Sequence, residues 1–197
     1  MESPAASGAR GPRRARAIFD AALSLLAERG YHGLTMEAVA SRARVNKTTL
    51  YRWWPSKDAL LAAALTESDA LALSVPDTGS LRGDLRALAG RIAELLTDPT
   101  TAPIAEALVS AGAGRPELAA VARAFFSDRL VRERPIFERA SQRGESLADI
   151  DLRTVMDLVA GAIWFRVFVR GEAPSDAELD EVLDAVHRGL DGRVPTR

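Results

Sequence analysis

Apolar residues in this chain recur at intervals of three and four from Ile18 to Leu190, and nowhere do they alternate over the length of a strand. A helix needs that spacing to gather one apolar face, whereas a half-buried strand needs a period of two. The pattern restricts the fold to all-α. About nine helices are expected, and the residues that start and stop them are readable one by one.

Residues 1–12 are small and polar and are expected to form a disordered basic arm. From Arg13 to Arg29 the stripe is Ile18, Phe19, Ala22, Leu25 and Leu26, and Gly30 follows as a left-handed cap. Thr35 caps a short helix that carries Glu37 in its first turn, where the helix dipole favours a carboxylate. Only Arg44 to Asn46 separate it from the next helix, KTTLYRW, which Asn46 caps and Pro55 ends. Ser56 then caps a bridging helix expected to reach about Leu73. After the breaker cluster SVPDTGS, Ser80 opens a helix to about Thr97, and another covers Pro103 to Ala113. Pro116 suits the first turn of a long helix reaching about Arg143, with a kink expected at Pro135. Asp151 caps a helix to Arg170 that Gly171 stops, and Ser175 with Glu178 forms a capping box for the last helix.

Residues 45–57, VNKTTLYRWWPSK, hold both lysines of the protein and two of its three tryptophans. The formal net charge of −1 hides an asymmetry in the same region. Residues 1–60 carry ten Lys and Arg against five Asp and Glu, and the remainder carries sixteen against twenty-two. A basic first third on an acidic body points to an anionic partner for that third alone. Two short helices joined by a three-residue turn make a helix-turn-helix. On the second, Leu50 and Trp54 share an inward face with Val45 nearby, which leaves Lys47, Thr48 and Tyr51 pointing away. Lys donates to guanine or phosphate, the Thr methyl touches thymine, and the Tyr hydroxyl reaches phosphate. Thr35 and Lys57 sit at helix N-termini, whose free N–H groups favour phosphate. Arg10, Arg13, Arg14 and Arg16 precede the first helix and suit the duplex backbone or a minor groove. The same spacing also suits an ordinary solvated helix pair.

The run AIFDAALSLLAERGYHGLTMEAVASRARVNKTTLYRWWPSKDALLAAAL, within Arg13 to Leu65, closely resembles the TetR family of bacterial transcription regulators. The V-x-K-x-T-L-Y pattern at 45–51 and PSKDALL at 55–61 carry the resemblance. The RGE at 143–145 and R-x-F-V-x-G-E-x-P at 166–174 are similar to one common carboxy-terminal subtype. The resemblance implies a helix-turn-helix DNA-binding domain over 13–60 and an effector-binding and dimerisation domain over 61–197. It implies a homodimer on a near-palindromic double-stranded DNA operator, a small-molecule effector, no cofactor, and a cytoplasmic protein associated with the nucleoid when bound to DNA. Family DNA-contact positions fall on Thr35, Asn46, Lys47, Thr48, Tyr51, Trp53 and Lys57. Arg44 occupies a turn position usually filled by Gly. A positive φ there disfavours Arg by about 1 kcal/mol relative to Gly, so either the turn adjusts or Arg44 gains a phosphate contact.

The helix from Asp151 to Arg170 is apolar nearly all round, which implies burial on two sides. Either both sides fill the chain's own core or one meets a second subunit. On the second reading the dimer interface is Val155, Val159 and Ile163 with the stripe Leu179, Val182, Leu183, Val186 and Leu190. Candidate effector-pocket residues are Phe125, Phe126, Phe137, Met156, Trp164 and Phe168, residue types that equally suit plain core. Arg166, set among apolar residues, is either salt-bridged for structure or the pocket's polar anchor. The reading is a regulator, usually a repressor, released from its operator by a small, largely apolar or aromatic effector. The alternatives are a regulator that needs no effector or answers to a protein partner, and an enzyme. An enzyme has little to draw on. The chain has no cysteine, its two histidines lack metal-ligand spacing, and HExxH, GxSxG, a phosphate loop and GxGxxG are all absent. No apolar run reaches the length of a membrane span.

Overall fold

The computed structural model describes residues 14–67, 71–110, 116–145 and 151–190; the expected arm at 1–12 and Arg13 lie outside them. Every regular element among the described residues is helical. The chain divides into two compact units, one ending at Ser68 and the other beginning at Asp69.

The first unit contains α1 (Ala15–Gly33), α2 (Met36–Ala43), α3 (Lys47–Trp53) and α4 (Lys57–Glu67). Each short helix starts where its cap residue predicts. The Thr35 hydroxyl accepts from the Ala38 amide at 3.2 Å, Asn46 Oδ1 from the Thr48 amide at 2.9 Å, and Ser56 Oγ from the Ala59 amide at 3.0 Å. Gly30 takes a positive φ of 63° with ψ at 178°, which interrupts the helix with a kink, and a short further turn follows to Gly33. The α1 stripe of Ile18, Ala22, Leu25 and Leu26 is sealed by Leu34, Val39, Leu50, Leu60 and Leu61, all of them essentially inaccessible to solvent. Phe19 meets Trp54 edge to face with centroids 5.4 Å apart. The bridging helix is shorter than expected. α4 ends at Glu67, and residues 71–78 are not helical. Its buried side, Leu60, Leu61, Ala64 and Leu65, packs on α1, so α4 belongs wholly to the first unit rather than to the larger one.

Arg44 closes α2 in the left-handed conformation, with φ 53° and ψ 48°. Among the described residues it is the one non-glycine residue with a positive φ. Its amide bonds back to Ser41, and its carbonyl accepts from Arg14 Nη1 at 3.2 Å, so the turn keeps this conformation whatever the side chain. Arg44→Gly relieves the Cβ clash and is expected to stabilise this unit by about 1 kcal/mol, read as a higher midpoint in thermal unfolding. A lower midpoint would mean that the Arg44 side chain contributes more than its conformation costs.

In the second unit α5 (Leu81–Thr97) is the central helix. It packs against α6 (Ala102–Ser110), α7 (Pro116–Gln142), α8 (Leu152–Trp164) and α9 (Asp176–Leu190). α8 continues into a π-helical segment, Phe165–Arg170, which Gly171 ends at φ 71°. α7 is one helix across Pro135. The caps again fall where the residues predict. Ser80 accepts from the Gly83 amide, Asp151 from the Arg153 amide, and Ser175 exchanges bonds with Glu178. An ion-pair ladder holds α5 to α9, with Arg82 on Asp184 at 2.8 Å and Arg86 on Asp176 at 2.6 Å and Asp180 at 3.2 Å.

Candidate nucleic-acid interface and ligand cavity

The first site is the exposed face of the helix-turn-helix. Thr35, Arg44, Asn46, Lys47, Thr48, Tyr51 and Trp53 are all exposed, while Leu50 is fully buried and Trp54 nearly so. α3 is only seven residues long, so burying Leu50 and Trp54 necessarily turns Lys47, Thr48 and Tyr51 outward. Tyr51 and Trp53 keep 43% and 44% of their surface in solvent, too much for rings that serve only to pack. Lys47 pairs with Glu37 across the turn, and its ammonium lies 5.5 Å from the centre of the Tyr51 ring. The hydrogen bond to Glu37 raises the Lys47 ammonium above its ordinary value and holds the Glu37 carboxyl below its own. Arg52 stacks over Trp53 at 5.8 Å. Thr48 donates its hydroxyl to Asn46 Oδ1 at 2.8 Å, which fixes the first turn of α3.

Lys57 is placed differently from the others. It is half-buried, and its ammonium donates to the Tyr31 carbonyl at 3.0 Å and the Leu34 carbonyl at 3.3 Å. It also lies over the Tyr31 ring, 4.0 Å from the centroid, and the Tyr31 hydroxyl bonds to Asp58. Lys57 therefore pins the start of α4 to the end of α1. These partners lie more than twenty residues earlier, so no local pattern announces the role.

The second site is a cavity of about 340 Å³ inside the second unit. α5 contributes Ile92, Leu95 and Leu96, and α6 contributes Ala105 and Leu108. The segment after α4 adds Leu71 and Leu73. α7 and α8 supply the aromatic wall. Phe125 meets Phe126 edge to face at 5.3 Å, and Phe126 meets Trp164 at 4.9 Å. Of the aromatic and Met candidates, Phe125, Phe126, Met156 and Trp164 line this space. Phe137 and Phe168 pack instead against the hydrophobic core around α5. Three charged residues that the sequence did not mark also line it: Arg129, Glu133 and Asp157. Glu133 is only 4% exposed, and burial raises its carboxyl to about 7, against a smaller opposing effect of the Arg129 charge. Arg166 points elsewhere. It is ion-paired with Glu178 at the head of α9, a structural bond between the end of α8 and the last helix.

The residues expected at a subunit interface divide by burial. Val155, Val159, Ile163, Leu179, Leu183 and Val186 are each under 8% exposed and belong to the chain's own core around α5. Val182 is half-buried, and the Leu190 side chain lies outside the described residues. The apolar surface that α8 leaves uncovered is another row, Leu158, Phe165 and Val169, at 52%, 52% and 67% exposure. Among the described residues no three His, Asp or Glu gather so as to hold a metal ion, and no helix is long and apolar enough to cross a membrane.

Two family models match, covering most of the chain. Residues 18–64 match bacterial regulatory proteins of the tetR family, and residues 75–186 match the tetracyclin repressor-like carboxy-terminal domain. The chain is 31% identical over 182 residues to the uncharacterised HTH-type transcriptional regulator YdeS of Bacillus subtilis, covering 92% of this chain and 91% of that one. It is 34% identical over 184 residues to the DNA-binding transcriptional repressor TetR of Mycobacteroides abscessus, covering 90% and 94%. The crystal structure of the TetR family transcription regulator SCO0332 superposes with a TM-score of 0.70 at 31% identity, covering 93% of this chain and all of that one.

Proposed function

The chain belongs to the TetR family of bacterial transcription regulators, and on that premise we propose that it is a homodimeric repressor whose operator affinity falls when a small, largely apolar effector occupies the second unit. It is a DNA-binding regulator and not an enzyme. The observation that carries the reading is the outward face of α3, where Lys47, Thr48 and Tyr51 are exposed above a fully buried Leu50. Such a helix presents one donor, one methyl and one hydroxyl to a major groove. Lys47 exchanges Glu37 for DNA on binding, because Glu37 is repelled by phosphate. Lys47→Ala is expected to weaken binding to a selected operator by about 1–3 kcal/mol if it reads a base. Fluorescence anisotropy against operator and scrambled duplexes checks this. Equal binding by variant and parent would remove Lys47 from the site.

The uncovered row Leu158, Phe165 and Val169 supports a subunit interface on the outer side of α8, joined by the half-buried Val182 of α9. An interface core is depleted in charge, so Phe165→Asp is expected to convert dimer to monomer in light scattering. A parent that is monomeric at micromolar concentration would rule this assembly out. A two-fold dimer presents two equivalent reading helices, and the operator is accordingly a near-palindrome.

Effector control rests on the cavity, which is concave, mostly apolar and furnished with few polar groups, as ligand sites are. The chain that lines it with Leu71 and Leu73 is the chain that has just left α4. A hundredfold loss of operator affinity requires the ligand to prefer the DNA-free state by about 2.7 kcal/mol. Operator titrations with and without candidate ligands measure that coupling directly. Ligands that bind the protein without changing operator affinity would favour a regulator whose cavity plays no part in release.

A further inference from the structure

Among the residues that line the cavity, Glu133 stands out. It is 4% exposed, sits one turn after Arg129 on α7, and accepts no hydrogen bond among the described residues. A buried carboxylate without a hydrogen-bond partner is costly, and such a group in a native fold calls for a specific explanation. The neighbouring Arg129 does not neutralise it. The two form no ion pair, and the Arg129 guanidinium lies over the Phe125 ring, 5.0 Å from its centre. The other walls bring little that is positive. α5 and α6 contribute only aliphatic residues, and α8 contributes Asp157, a second carboxylate, on the more exposed side. The lining thus carries two carboxylates against one guanidinium, with the faces of Phe126 and Trp164 close by. A carboxylate ligand entering here would meet the Asp157 charge and make ionisation of the buried Glu133 still more costly. A ligand with a protonated nitrogen would meet a carboxylate lacking a donor and aromatic rings that attract cations.

We propose that Glu133 is the polar anchor of the effector cavity and that the cavity selects apolar or aromatic molecules carrying one protonated nitrogen. This rests on the reading of the cavity as the effector site and specifies its chemistry. Its raised carboxyl pKa agrees with the geometry, because a cation that enters restores the charged form that burial disfavours.

The test uses the full-length protein and three probes with one aromatic body: naphthylmethylamine, naphthylmethanol and naphthoate. Each is titrated by calorimetry and by the shift in melting temperature. The amine is expected to bind roughly ten- to a hundredfold more tightly than the alcohol, the usual range for a charge-assisted hydrogen bond, and the acid most weakly. Glu133→Gln is expected to erase the preference for the amine while leaving the alcohol bound as before, and Asp157→Asn to preserve most of it. Binding of the alcohol with no preference for the amine, or a preference that survives in Glu133→Gln, overturns the assignment of Glu133 and leaves the effector site standing. Binding of none of the three overturns both. The comparison among the three probes in the parent needs no variant, so it decides the matter even if Glu133→Gln folds poorly.

Discussion

Asp84→Ala is expected to lower the stability of the second unit by about 3–5 kcal/mol, the usual consequence of breaking a buried ion network from one side. Asp84 lies in the first turn of α5 and is completely buried. Its Oδ1 accepts from the Thr78 amide at 2.5 Å and the Thr78 hydroxyl at 2.8 Å. Its Oδ2 faces Arg139 at 3.5 Å and Arg143 at 3.8 Å, both from the end of α7. Arg139 in turn bonds to the Pro76 carbonyl and lies 3.3 Å from Asp77. One carboxylate therefore fastens the segment 76–78 and the end of α7 to the start of α5. Alanine leaves the Thr78 amide without its acceptor and takes from Arg139 and Arg143 the buried carboxylate that both face, leaving Arg139 only Asp77 and Arg143 only Glu145. Asp84→Asn keeps an acceptor for Thr78 and should lose distinctly less. Urea unfolding followed by circular dichroism measures both. A loss below about 1 kcal/mol for Asp84→Ala, the ordinary scale for a single exposed contact, would mean that the network is not stabilising.

Glu133→Gln is expected to behave in the opposite sense and to depend on pH. The Glu133 carboxyl is raised to about 7 in the folded chain from an ordinary value of 4.5. Below 4.5 it is protonated in both states and its charge costs nothing. Between 4.5 and 7 the unfolded chain releases the proton and the folded chain retains it, so the stability of the parent falls as pH rises. Above 7 the loss is complete. Gln cannot ionise. The stability of the variant relative to the parent should therefore climb through this window by about 3 kcal/mol and then level off. Taking the difference removes groups common to both proteins, including the two histidines. Arg129 and Asp157, the charges that share the cavity, are unchanged in it. A flat difference between pH 4 and 8 would show that Glu133 ionises freely in the folded protein. The amine probe should restore much of the parent's stability at pH 8 and do little for the variant.

What the sequence determined by itself was local. Thr35, Asn46, Ser80, Asp151 and the Ser175–Glu178 pair bond to amides two or three residues away, so the starts of these helices could be read from neighbouring letters. The outward face of α3 was legible for the same reason, since seven residues of helix with Leu50 buried leave Lys47, Thr48 and Tyr51 no other direction. The left-handed turn at Arg44 was suggested only by the family resemblance, which usually places Gly there, and the structure decided that the turn keeps a positive φ. Tertiary structure decided the rest. The sequence placed Lys57 at a helix N-terminus suited to phosphate, and only the fold showed that two carbonyls from the end of α1 accept from it. An all-round apolar α8 does not state which side meets its own core. Packing against α5 buried Val155, Val159 and Ile163 and left Leu158, Phe165 and Val169 outside. Glu133 sits in the charged run VRERP, where its spacing from Arg129 reads as a solvated pair on a helix surface. Its burial comes from α5, α6 and α8 closing over that side of α7, and burial by distant helices leaves no periodic mark on the residue it covers.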